Sequence, residues 1–299
     1  MTPASKGLLP AASAFAIWGL FPLYFTLLHH VSAVEVIAHR VVWSCVFVLA
    51  WIAIRGELLT LRATLTDIKV VGRLAISATL ISLNWLVYVW GVMNGHVVET
   101  SLGYFIGPLV NVTLGVAILS ERLTFAQWTA VALAAAGVMY LTVMAGGLPW
   151  IALMLAFSFA TYGLLRKIVK VESLPGLATE TLVLAPFAVL YLVWCEFAGK
   201  GALGHAGPAI DALLIGSGPL TAVTLFLFAY GTRLLPYATV GLLQYIAPSL
   251  QFACGVFVLH EPFERTRAVG FTIIWAALLI YAAEGLRLSQ RPQKLSRVQ

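Results

Sequence analysis

Two ionisable side chains stand deep inside apolar stretches of this chain: Arg40, next to His39 in "VIAHRVVWS", and Glu180 in "LATETLVLA", 140 residues later. A charge at mid-membrane costs about 2.5–3.5 kcal/mol on insertion scales, so each must have a use or a route to water. An arginine there either snorkels its head to a polar boundary or holds a partner. A glutamate can bind a cationic group or exchange a proton, and Glu180 is the better candidate for that work. Uncharged polar residues add stripes at helical spacing. Tyr104, Pro108 and Asn111 share one face, and Gln244, Pro248 and Gln251 hold the same places 140 residues on. Asn84, Tyr88 and Gly91 share another, matched by Thr224, Phe228 and Gly231. Amides and phenols are costly in an apolar medium without partners, so these stripes face one another across helices or line a polar cavity. Trp18 in "FAIWGL", Tyr162 in "FATYGL" and Trp85 would give that cavity aromatic walls. The chemistry on offer is solute binding rather than bond breaking. No HExxH, GxSxG, P-loop or GxGxxG pattern occurs, and catalysis, ATP hydrolysis and a cofactor are not expected.

The elements that must carry these residues follow from composition. Of 299 residues 61% are hydrophobic and 10% charged, with a mean hydropathy of +0.95. Soluble domains carry about 25% charged residues. Apolar runs long enough to cross a bilayer recur about ten times, near 8–28, 33–54, 72–93, 98–119, 125–145, 148–168, 176–198, 211–231, 237–259 and 267–287. Lipid supplies no hydrogen bonds to the backbone, and the runs lack strict alternation, so they are read as helices. The class is an all-α membrane protein.

The net charge of +6 is distributed as in a membrane protein, not a nucleic-acid binder. With the N-terminus inside, fourteen Lys and Arg fall on the cytoplasmic side and only Lys200, Arg265 and Arg267 on the other. That bias predicts cytoplasmic termini, with the basic tail 291–299 lying near anionic lipid. Cys45, Cys195 and Cys254 fall in or near apolar runs and read as small hydrophobes. The first run has no cleavage-site pattern after it and is read as a retained helix. His29-His30 lacks a third ligand nearby, so no metal site is expected. Ser32 with Glu35, and Thr124 with Gln127, have the spacing of capping boxes. Glu121 and Glu261 are expected to hold loop geometry.

One offset relates the two halves. "SLGYFIGPLVNVTLGVAILSERLTF" and "GLLQYIAPSLQFACGVFVLHEPFER" align at 140, with Ile106 on Ile246, Pro108 on Pro248, Gly115 on Gly255 and Glu121 on Glu261. Each half, 1–145 and 146–290, holds five runs, and an odd number of crossings inverts the second copy. Inverted repeats with matching Gly/Pro-interrupted spans point to a transporter whose site lies between the copies. Pro108 and Pro248 are therefore expected to break their helices, and Gly103-x-x-x-Gly107 to mark either close packing or the cavity.

The segments "HRVVWS" (39–44), "NWLVYVWGVMNGHVVETSLGYFIGPLVNV" (84–112), "SERLTFAQW" (120–128), "AFSFATYGLLRK" (156–167) and "QYIAPSL" (244–250) resemble the EamA branch of the drug/metabolite transporter superfamily. The resemblance covers nearly the whole chain. It implies about ten helices in two inverted EamA repeats, a bacterial inner-membrane location, no covalent cofactor, and transport of small metabolites. Similar sequences often carry Asn at the place of Gly107 and Pro at that of Thr224. The functional expectation is a secondary carrier of a small amphipathic metabolite, such as an amino acid or an amphenicol-like compound. A passive channel or a non-transporting accessory protein is the alternative. The expected partners are that small molecule and the lipid bilayer, with no nucleic acid.

Overall fold

The computed structural model describes residues 3–119, 123–144, 148–169, 171–234 and 243–290. The described chain is helical almost throughout. The first apolar run is split into α1 (Pro3–Gly19) and α2 (Phe21–Thr26), because Pro22 cannot continue the first helix and opens the second. Then come α3 (Ala33–Arg55), α4 (Leu58–Thr66), α5 (Ile68–Met93), α6 (Val97–Leu119) and α7 (Phe125–Met144). The second half gives α8 (Trp150–Ile168), α9 (Ser173–Phe197), α10 (Pro208–Leu234), α11 (Ile246–Ala253) and α12 (Arg265–Gln290). A π-helical turn, Cys254–Val258, extends α11. Among the described residues six helical spans are long and apolar enough to cross a membrane, including Ala33–Arg55 and Ile68–Met93. The short α4 lies in a connecting segment outside the apolar runs.

Local chemistry sets the ends. Ser32 Oγ accepts from the Glu35 backbone N–H at 3.2 Å, and α3 stops at Gly56, whose φ of 69° suits the absence of a side chain. At α7 the capping box closes both ways: Gln127 N–H donates to Thr124 Oγ1 at 3.3 Å, and Thr124 N–H donates to Gln127 Oε1 at 2.9 Å. The box at Ser32 closes only one way. The Glu35 carboxylate instead accepts from Ala202 N–H at 2.6 Å and ties α3 to the loop after α9.

The expected break at Pro108 does not occur. Helix α6 runs on from Val97 to Leu119, since a membrane helix can absorb one missing hydrogen bond through its neighbours. The side chains of Pro108 and Asn111 lie outside the described residues, as does Glu121. Pro248 falls in the first turn of α11, where its missing N–H is one of the groups that lack a helical partner anyway. The irregular backbone of that copy lies at Tyr245 and in the π turn.

Packing follows the repeat. Helix α1 packs on α10, and their counterparts, α8 and α5, pack on each other. The α6–α8 contact has α11–α1 as its mirror, and α3–α10 has α5–α9. The pairs α3–α9, α7–α12 and α6–α11 join each element to its own counterpart. Exchanging the two copies thus maps this set of packed pairs onto itself. Apolar side chains also cover the outside: Phe187, Leu190, Phe197 and Leu279 are 71, 69, 90 and 71% exposed. A surface that apolar suits hydrocarbon rather than water. Trp90, Trp150 and Trp194 are partly exposed near helix ends, as in an interfacial aromatic belt.

Candidate functional site

A cavity opens among α1, α2, α3, α5, α6, α8, α10, α11 and the segment leading into α11, with about 640 Å³ of space that includes its open side. Its walls combine rings and a few polar groups. Phe15 and Trp18 stand on one face of α1 and meet Phe228 of α10, with ring centroids 5.4–5.6 Å apart in each pair. The Trp18 indole N–H donates to Thr224 Oγ1 at 3.0 Å, and that hydroxyl donates to Leu220 O at 2.9 Å. Thr224 is fully buried behind the tryptophan and fixes its ring.

Asn84 is the junction of the opposite wall. Its amide donates to Leu155 O and to Ser158 Oγ, both at 2.9 Å, and its Oδ1 accepts from Tyr104 O–H at 3.1 Å. It therefore joins α5, α6 and α8 and aims Tyr104, whose ring meets Tyr88 at 5.7 Å and Phe159 at 6.1 Å. From α11, Gln251 donates its amide N–H to Trp18 O at 3.1 Å, at the end of α1. Among the described residues its Oε1 and the Tyr88 hydroxyl are buried without a partner.

Arg40 does not snorkel. It is 2% exposed, lines the cavity, and donates from Nε to Thr221 Oγ1 at 2.6 Å. The guanidinium lies 4.1 Å from the centre of the Trp85 ring and 5.4 and 5.6 Å from those of Phe21 and Phe25. His39 is buried off the cavity, 3.9 Å from Glu35. Glu180 does not reach Arg40. It accepts from Ser77 Oγ at 2.7 Å and lies 3.6 Å from Arg166 Nη1, away from the cavity lining.

Of the residues singled out by sequence, Trp18, Asn84, Trp85, Tyr88, Tyr104, Gln244, Gln251, Arg40 and Pro248 line this space. Tyr162 stands beside it against Phe159, and Thr224 stands behind Trp18. Sequence reasoning missed Phe15, Phe21, Ile81 and Phe159. Ile81 could have been found, since Ile81, Asn84, Trp85 and Tyr88 form one helical row. The partner of Glu180 was also missed, because Arg166 reads in sequence only as a boundary charge. A further contact joins the copies at one end of the bundle: Glu261 accepts from Val97 N–H at 2.6 Å and Val98 N–H at 2.8 Å. These are free donors of the first turn of α6, where a carboxylate also meets the positive end of the helix dipole.

Residues 5–143 match the EamA-like transporter family. Protein RarD of Streptomyces exfoliatus is 44% identical over 95% of this chain and 90% of its own length. The uncharacterized transporter YojE of Bacillus subtilis is 42% identical over 92% of this chain and 93% of its own. A solved crystal structure superposes with a TM-score of 0.64 over 95% of this chain and 99% of that one, at 18% identity, which is a likeness of fold.

Proposed function

The chain belongs to the RarD group of the EamA-like transporter family, a multi-pass membrane protein of bacterial type, and from that premise we propose that it is a secondary carrier working by alternating access. The two halves, 1–145 and 146–290, act as inverted repeats around one cavity, with both termini cytoplasmic in the inner membrane. The solute is a small amphipathic metabolite, such as an amino acid or an amphenicol-like compound. One observation supports this reading above the rest: a cavity of aromatic walls, placed between counterpart helices, holds buried polar atoms with no partner among the described residues. Buried polar groups are nearly always satisfied, so such atoms at a cavity point to a ligand.

Counterflow tests it. Proteoliposomes loaded with unlabelled amino acids or amphenicols should take up trace labelled solute faster than unloaded ones. Flux without saturation or acceleration would replace the carrier with a channel, and no flux from folded protein would leave an accessory role.

Glu180 is the proposed coupling group. Its carboxylate holds Arg166 and Ser77, and a proton arriving there would remove the charge that attracts Arg166 and loosen α9 from α8. In the Glu180→Gln protein, counterflow should persist, while accumulation driven by a pH gradient falls to the unenergised level. Equal loss of both activities would make Glu180 a packing residue instead.

A further inference from the structure

We propose that the transported solute is an amphipathic monocarboxylate and that Arg40 is the residue holding its carboxylate, an inference that rests on the carrier reading above. The guanidinium is buried and always charged. Among the described residues no Asp or Glu pairs with it: Glu180 is taken by Arg166, and Glu35 by Ala202 N–H with His39 nearby. Thr221 uses Nε, and aromatic rings cover the plane, so the group is held in one orientation. Among the described residues Nη1 is left buried with no acceptor, on a residue of the cavity wall.

An unpaired buried charge is strongly unfavourable, and the rings offset only part of the cost. The missing counter-charge must therefore come from something that enters. Its charge is bounded as well, because among the described residues Arg40 is the one cation lining the cavity. A monoanion would leave the site neutral, whereas a phosphate monoester would leave excess negative charge among rings. A carboxylate also matches the planar fork of a guanidinium. Apart from the amides of Asn84, Gln244 and Gln251 and two tyrosine hydroxyls, the remaining lining is ring and aliphatic carbon, which sets a largely apolar body for the solute. Gln251 Oε1 and Tyr88 O–H remain for a second polar group, so an ammonium on the same solute is accommodated but not required.

The experiment uses the full chain in proteoliposomes and compares solutes that share one ring: 3-phenylpropionate, L-phenylalanine, the neutral 3-phenylpropionamide and phenethylamine, with chloramphenicol as an unrelated neutral solute. Each is loaded in turn, and its ability to drive or compete for counterflow gives an apparent affinity. A hydrogen bond to a charged group is worth about 1.5–3 kcal/mol, so a carboxylate should outrank its amide by about 10- to 100-fold. Arg40→Gln should erase that ratio, and Arg40→Lys should restore part of it. A merely structural arginine would lower all solutes together and leave the ratio unchanged. Should Arg40→Gln fail to fold, the solute series on the unaltered protein decides alone. Exchange of amide and carboxylate with equal affinity, or of chloramphenicol and phenethylamine only, overturns the carboxylate assignment while the carrier stands. Exchange of no solute of any charge overturns the carrier reading and this inference with it.

Discussion

The Glu261→Gln protein will expose Cys254 to a membrane-impermeant maleimide about 10- to 30-fold faster than the parent, both carrying Cys45→Ala and Cys195→Ala. The expectation starts from the two bonds that Glu261 accepts at the start of α6. The carboxylate belongs to the segment after the π turn of one copy, and the two N–H groups belong to the first helical turn of the other. Next to them, a side chain on Gly255 would meet Val97 and Val98 at 3.2 Å, so the backbones are drawn close where the carboxylate fastens them. In an alternating carrier this end of the bundle must part during each cycle. Gln retains one acceptor oxygen but loses the charge and the second bond. Hydrogen bonds to charged groups are worth about 1.5–3 kcal/mol, and at a partly exposed site the lower end applies, which gives roughly a tenfold to thirtyfold shift toward the open form. Cys254 is a native reporter of it, being buried beside Gly19 when the end is closed. Counterflow should continue in this variant, since no cavity residue is touched. Unchanged labelling together with a lower unfolding temperature would make Glu261 a static helix cap.

The helices and the cavity rows were legible in sequence for one physical reason. Apolar length and the 3.6-residue period determine which residues can share a face, whatever that face meets. That is how Asn84, Tyr88 and Tyr104 could be grouped, and how Trp18 could be set near the same space. Partners are another matter. Alignment of the two copies placed Arg40 opposite Glu180 in register, yet each takes its contacts from other helices, Thr221 on α10 and Trp85 on α5 for the arginine, and Ser77 on α5 and Arg166 on α8 for the glutamate. Register along a chain says nothing about lateral neighbours. Glu35 shows the same limit at short range, since its spacing from Ser32 fits a reciprocal cap but Ala202 takes the carboxylate. Pro108 misled because proline penalties come from water-soluble helices. The short α4 went unread because it has neither the apolar length nor a strong cap: Glu57 precedes it, but its carboxylate turns to Arg55 and caps no N–H of the helix.

A second large effect is expected at Gly103, where Leu should abolish monodisperse, folded protein, and Ala should lower the unfolding temperature measurably. Gly103 and Gly107 have the same spacing as a packing motif, but their surroundings differ. A Cβ at 103 would lie 2.8 Å from Ala152 O, 3.0 Å from Ala152 Cα and 2.9 Å from Leu155 Cβ. Two of those three atoms are backbone of α8 and cannot turn aside, so the helices themselves must separate. Among the described residues a Cβ at Gly107 meets no such atom within 4 Å. Overpacking by a few carbons costs about 1–3 kcal/mol in a core, and Leu adds four at a place that admits none. Close approach of small residues is also what holds membrane helices together where water provides no drive. The harm would not stop at packing. Pushing α8 away moves Leu155 O and Ser158, the two acceptors that hold the Asn84 amide, and Asn84 in turn sets the Tyr104 hydroxyl at the cavity wall. Gly103→Ala protein that still folds should therefore lose solute affinity as well as heat stability, whereas Gly107→Ala should match the parent in both. Equal tolerance at the two positions, read by thermal unfolding in detergent and by counterflow, would show that α6 and α8 can slide apart without disturbing the site, and the rigid wall assumed here for Tyr104 would have to be given up.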